Sequence, residues 1–287
     1  MFKRFLLTVI LICFTPQACW SEIQQPTIAT QEQTQLQVSD ANDLGKKILD
    51  GLKEIGVDVL QIGVLYLIIG TLDTIVHESG HAVAGSLLFE LWRPIEIHIG
   101  IDNLFTSTEK WFSVGNMHFY KDFWICGVAD INEKRPKEHF HLYEGIMIAA
   151  GGTSAAAFLY SLLTMTIGYC AYCDNKNLHE IVAKSFTNAC NPFSYILETK
   201  NISRVQKRLL INAVFVIGLS FIFNLFYGLT PFLDFGDGHM LWKDHIGVTG
   251  TPLSIVHVLS LVGNIGCRLW LVKKYYDARC ILAEQAE

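Results

Sequence analysis

The sequence predicts a mostly α-helical, polytopic membrane bundle of about four transmembrane helices, with a small membrane-associated β segment between the first two. Three observations carry this. Of the 287 residues, 51% are hydrophobic and only 17% are charged, against roughly 25% charged in an ordinary soluble domain. Four apolar stretches, near residues 57–76, 146–169, 209–233 and 252–272, each have about the 20 residues a helix needs to cross a hydrocarbon core. Between the first two, residues 92–130 change period, with Ile95, Ile97, Ile99 and Ile101 alternating with Glu96, His98 and Gly100, as a strand requires. The net charge of −5 comes without a long Lys/Arg block, so the electrostatic footprint of a nucleic-acid partner is missing. So high an apolar content also excludes a disordered chain.

Taken in order, residues 1–21 open with Lys3-Arg4 and continue as an apolar run of about ten residues, the length of a signal-peptide core and short of a spanning helix. This predicts export of the adjoining segment, with an uncleaved anchor as the alternative. Residues 22–55 are rich in Gln, Thr and Ser. They offer too few large apolar side chains to offset the entropy of ordering, and read as a polar extracytoplasmic tail. The membrane domain is residues 56–287. Within its β segment, the runs 111–114 and 117–120 flank Gly115-Asn116, a hairpin turn by composition. No internal repeat argues for a solenoid or an inverted-repeat transporter.

The chemistry sits at the end of the first apolar stretch, which reads His77-Glu78-Ser79-Gly80-His81. Positions four apart share a helix face, so His77 and His81 can present two imidazoles to one zinc ion, with Glu78 beside them as proton acceptor. Ionisable groups in or beside a membrane helix are expensive to keep, and their default reading is functional. A catalytic zinc needs a third protein ligand and an open position. The end of the third stretch, from Asn224 through Pro231 to Asp234, Asp237, Gly238 and His239, offers one, because Pro231 breaks the helix and the glycines free the backbone. The plainer reading has Asp234 and Asp237 following the helix end in interfacial water. Asp73, one turn before His77, is placed to accept its imidazole N–H, or simply faces the bundle interior.

HExGH in one membrane helix, followed by an Asn…Pro…Asp-Gly segment in a later one, resembles the site-2 protease family of intramembrane zinc metalloproteases. Gly151-Gly152 at the start of the second stretch is similar to a turn often found there, and the family is also expected to carry a β segment between its first two core helices. The resemblance covers roughly residues 57–239. In this chain Asn224 stands seven residues before Pro231 and Asp237 six after it, a longer spacing than the family's usual one. What the resemblance implies is a hydrolase: zinc held by His77, His81 and Asp237, Glu78 as general base, and a transmembrane protein substrate within the lipid bilayer. Gly236 and Gly238 bracket Asp237 and favour it over Asp234, which is left as a polar neighbour or the alternative ligand. Asn224 and His239 are expected as supporting or substrate-positioning groups. The competing class is a catalytically silent membrane adaptor or metal-binding regulator of the same fold, against which the intact Glu78 speaks.

An exported amino terminus would place HESGH and Asp237 together on the cytosolic side. The loop between the second and third stretches, about residues 170–208, is too short for an inserted PDZ module. It carries Cys170, Cys173 and Cys190, for which a disulfide in an exported loop is expected.

Overall fold

The computed structural model describes residues 31–88, 95–99, 110–115, 117–121, 127–130, 140–174, 177–231, 233 and 236–285. Ile101 and Asp234 lie outside them. The chain divides into two units, residues up to Glu54 and from Ile55 onward. In the first, the polar segment expected to lack regular structure is helical from Gln31, the start of α1 (Gln31–Leu88). Its Gln, Leu, Ala and Lys residues are good helix formers, and once a helix is nucleated each further residue costs little.

The described elements of the second unit continue through four short strands, β1 (Ile95–Ile99), β2 (Lys110–Val114), β3 (Met117–Lys121) and β4 (Gly127–Asp130). The subsequent helices are α2 (Phe140–Asp174), α3 (Leu178–Thr187), α4 (Pro192–Glu198), α5 (Arg204–Leu229), the single turn α6 (Asp237–Met240), a π-helical turn (Leu241–His245) and α7 (Gly250–Glu284). Four segments are long and apolar enough to cross a membrane: span 1 (Leu52–Leu88), span 2 (Tyr143–Asp174), span 3 (Arg204–Leu229) and span 4 (Gly250–Glu284). The chain is therefore a multi-pass membrane protein by helix length and composition. Span 3 stops at Leu229, short of the expected 233, because Pro231 cannot continue the ladder.

The β segment is one sheet in the order β2-β3-β1-β4. The hairpin β2–β3 forms as expected, turning at Gly115 with φ +60°, a conformation glycine adopts without strain. The pairing of β1 is less ordinary, parallel to β3 and antiparallel to β4. Phe119 on β3 is buried, stacks on Phe112 at 4.4 Å and packs with Met117 against Ile75 and Ala82 of span 1. The sheet thus rests on the turn of span 1 that carries His77 and His81.

Spans 1, 2 and 3 meet through Ile69, Leu159, Val216 and Ile217. Spans 2, 3 and 4 meet with α4 around Ile167, Phe193, Ile211, Phe215 and Leu271. Glycine sets the closest approach: a Cβ on Gly152 of span 2 would lie 2.6 Å from the Gly228 Cα of span 3. The expected disulfide does not form. Cys170, Cys173 and Cys190 are free thiols, because α2 runs on to Asp174 and places Cys170 in the core instead of a loop.

At the other end of span 1, Asp58 accepts from Arg208 Nε at 2.7 Å and Arg279 Nη2 at 2.6 Å, joining spans 1, 3 and 4. Asn212 donates to Asp58 and Gln61, and Tyr275 donates to Asn212. Asp58→Ala withdraws the anion that two part-buried guanidinium groups share, and is expected to cost about 2 kcal/mol, less than the roughly 3–5 kcal/mol of a fully buried pair, read as a lower thermal midpoint in detergent. The turn that carries His77 and His81 should not change, since it lies roughly 28 Å away along the helix at 1.5 Å per residue.

Candidate metal centre

His77 and His81 fall on one face of span 1, ring centroids 4.9 Å apart, because four residues nearly complete a turn. The third group arrives from the segment after span 3. Asp237 begins the short turn α6 and is buried, with Oδ2 2.8 Å from His77 Nε2 and 3.1 Å from His81 Nε2. Among the described residues, His77, His81 and Asp237 are the set whose ligand atoms all lie within 4.8 Å of one another. His239 is half-buried with its Nδ1 unpartnered, and does not join them.

Backbone geometry explains how the carboxylate gets there. Gly236 has φ +97°, and a Cβ on Gly236 would lie 2.5 Å from the Tyr227 ring. A Cβ on Gly238 would run into the Thr230 carbonyl. These glycines therefore serve the chain's return onto the end of span 3, and not a close backbone approach to His77 and His81. Two donors hold the same segment: Trp242 Nε1 donates to Leu229 O at 2.8 Å, and His257 Nδ1 of span 4 donates to Pro231 O at 2.6 Å.

The hydrogen bonds behind the rings fix their tautomers. His81 Nδ1 lies 2.8 Å from Met147 O; a carbonyl only accepts, so Nδ1 carries the proton and Nε2 presents a lone pair. His77 Nδ1 lies 3.1 Å from Asn224 Oδ1. Asn224 Nδ2 donates to Asp73 Oδ2 at 2.6 Å and to Ser220 O at 3.0 Å, which orients the amide with its oxygen toward His77. Asp73 thus supports His77 through Asn224, instead of accepting its N–H directly as expected. Three acceptor atoms converge at one point, an arrangement that requires a cation or a proton between them. Two imidazoles and a carboxylate are a zinc donor set, and tetrahedral bonds of 2.0–2.1 Å would separate the donors by roughly 3.3 Å. The residues present fit a zinc ion. Where the cation is a proton on one Nε2, burial works against charge on Asp237, but the hydrogen bonds that proton makes possible from His77 or His81 dominate and hold the carboxyl at about 2.

Glu78 is buried beside His77, and its charge acts on His81. Tyr227 lies against His77 at 5.7 Å. Sequence reasoning did not single out Met147, Tyr227 or Trp242. The signal that points to Met147 is Gly151, four residues later on the same face of span 2, where the missing side chain bares the Met147 carbonyl to His81. A Cβ on Gly151 would collide with the His81 ring. Gly151→Ala is expected to push His81 off its carbonyl and weaken zinc binding by about 10–100-fold, as loss of an outer partner does. Chelator competition would measure this, with far-UV circular dichroism unchanged.

Comparison with protein-family models, with curated proteins and with solved structures finds no match to this chain.

Proposed function

We propose that this protein is an intramembrane zinc metalloprotease that hydrolyses peptide bonds in or near transmembrane segments of other membrane proteins. The observation that carries the reading is the convergence of His77 Nε2, His81 Nε2 and a carboxylate oxygen of Asp237 at one buried point, at the ends of two apolar helices, with Glu78 adjacent. The HExGH and Asp-Gly motifs, which resemble those of the site-2 proteases, support it. Zinc, when bound there, supplies a Lewis acid that brings the pKa of water toward about 7 and polarises a peptide carbonyl.

The chain's own residues supply the rest. Asn224 and the Met147 carbonyl hold both imidazoles with Nε2 inward. Asp237 adds the negative charge that a divalent ion requires. Glu78 takes the proton from the attacking water and delivers it to the leaving amine, since its carboxylate is the acid–base group beside the ligands. A substrate helix has its carbonyls already bonded and must unwind before one can react. The sheet edges at β2 and β4 are surfaces on which an extended segment can be held by main-chain hydrogen bonds. On this reading the site end faces the cytosol if the amino terminus is exported; Lys134, Arg135 and Lys137 before span 2 favour that orientation, while Lys273, Lys274 and Arg279 late in span 4 oppose it.

The test is metal analysis of detergent-purified protein, together with cleavage of a synthetic single-span substrate before and after chelation. One zinc per chain, with cleavage lost on chelation and restored by Zn²⁺, is expected. Cleavage that survives complete metal removal would exclude the reading.

A further inference from the structure

Span 4 carries an unexplained polar row. His257, Ser260, Asn264 and Arg268 succeed one another at helical spacing on one face, while the flanking Leu261, Ile265 and Leu269 are exposed. The row starts at the segment that delivers Asp237, where His257 donates to Pro231 O. Farther along, Asn264 is 4% exposed, and its Nδ2 and the Nε of Arg268 are buried donors without an acceptor. Unpaired buried donors in a membrane helix are costly, and a cation there is a functional group by default.

The Arg268 guanidinium lies 5.9 Å over the Phe223 ring of span 3. Phe223 stacks on Tyr227 at 5.4 Å, and Tyr227 lies 5.7 Å from His77. Phe223 is itself 39% exposed. An aromatic floor therefore leads from Arg268 to the metal-binding group in three steps of under 6 Å, a distance that roughly five residues of extended chain would cover at about 3.3 Å each. Donors four apart on a helix rise about 6 Å, close to the roughly 6.6 Å between same-side carbonyls two residues apart on an extended strand.

We infer that Asn264 and Arg268 hold an unwound, extended stretch of a membrane polypeptide by its main-chain carbonyls, as it lies along Phe223 and Tyr227 toward His77. The inference rests on the protease reading for its purpose, but not for its binding geometry. Both donors then gain the acceptors they lack, and the substrate's freed carbonyls are satisfied at a depth where water is scarce.

The experiment uses the full chain in detergent and a synthetic single-span peptide with an Asn-Pro pair at its centre to break the helix. Capture is read with p-benzoylphenylalanine in place of Phe223 on a Glu78→Gln background, and cleavage is read on the chain with Glu78 and Phe223 intact. Asn264→Leu and Arg268→Met should each lower capture and cleavage about tenfold, the loss of one hydrogen bond to a charged or desolvated partner. Arg268→Lys, which keeps a charged donor, should recover most of that loss. Zinc content should hold, and the thermal midpoint should stay level or rise, because each apolar replacement removes an unpaired donor. Undiminished capture in both variants, or a fall in capture matched by a fall in midpoint, would overturn the inference. Capture that depends on Arg268 without any cleavage would leave the donor row standing and remove the protease reading; cleavage without capture would do the opposite.

Discussion

Glu78→Gln is expected to bind one zinc per chain as tightly as the unaltered protein, and to cleave a single-span substrate about 10³-fold more slowly, within the 10²–10⁴ range of a lost general base. Glutamine matches glutamate in shape but cannot accept the proton of an attacking water at neutral pH. The three converging ligand atoms belong to His77, His81 and Asp237, so the metal should be indifferent to the change. Inductively coupled plasma analysis and a gel cleavage assay on the same preparation separate the two properties. Retained zinc with retained cleavage would remove Glu78 from the chemistry and favour a binding or regulatory protein of the same fold. Loss of both would mean that Glu78 supports the ligands instead of acting on water.

Much of this site was legible because its chemistry is local. HESGH places two imidazoles on one helix face whatever the tertiary fold, and Asp237 stands between two glycines whose absent side chains mark a tight return of the backbone. The four spans were legible from length and apolarity alone, and the hairpin from Gly115-Asn116 between two short runs. The features that escaped depend on distant phase. Asn224 was expected as a supporting group, but its partner escaped: it reaches His77 across 147 positions, and which ring it meets depends on the rotation of span 3, which no local pattern fixes. The part played by Asp73 changed for the same reason, since Asn224 fills the space between it and the ring. The parallel pairing of β1 with β3 is non-local too. The helix from Gln31 escaped because low hydrophobicity speaks against burial, not against helix.

The two ends of the bundle solve opposite problems with similar residues. Around Asp58 opposite charges meet: two guanidinium groups share one carboxylate, and Asn212 and Tyr275 complete the hydrogen bonds. That is how a part-buried ionic cluster holds helices in register. Around Asp237 the same kind of convergence brings three acceptor atoms together, which only a shared proton or a cation can satisfy. On the metalloprotease reading, a divalent cation that replaces the shared proton would couple metal binding to the seating of the segment after span 3.

Asp237→Asn is the substitution that exploits this contrast, and it is expected to remove zinc without unfolding the protein. The carboxylate is the one anionic member of the ligand set, and a neutral amide in its place should lower zinc affinity by more than the 10–100-fold that loss of an outer partner such as Asn224 costs. Cleavage should fall to background with the metal. The metal-free fold should not suffer, because the asparagine amide can itself donate to the Nε2 lone pair of His77 or His81, replacing the shared proton that the carboxylate needs there. A thermal melt distinguishes the two states: zinc at 100 times its dissociation constant should stabilise the unaltered protein by about 2.7 kcal/mol and leave the Asp237→Asn midpoint unmoved, with the metal-free midpoints of the two equal or the variant's higher. Asp234→Asn is the control, expected to keep zinc and measurable cleavage. If instead Asp234→Asn loses the metal and Asp237→Asn keeps it, the ligand lies three residues earlier in the chain, and the glycines around Asp237 serve only the turn.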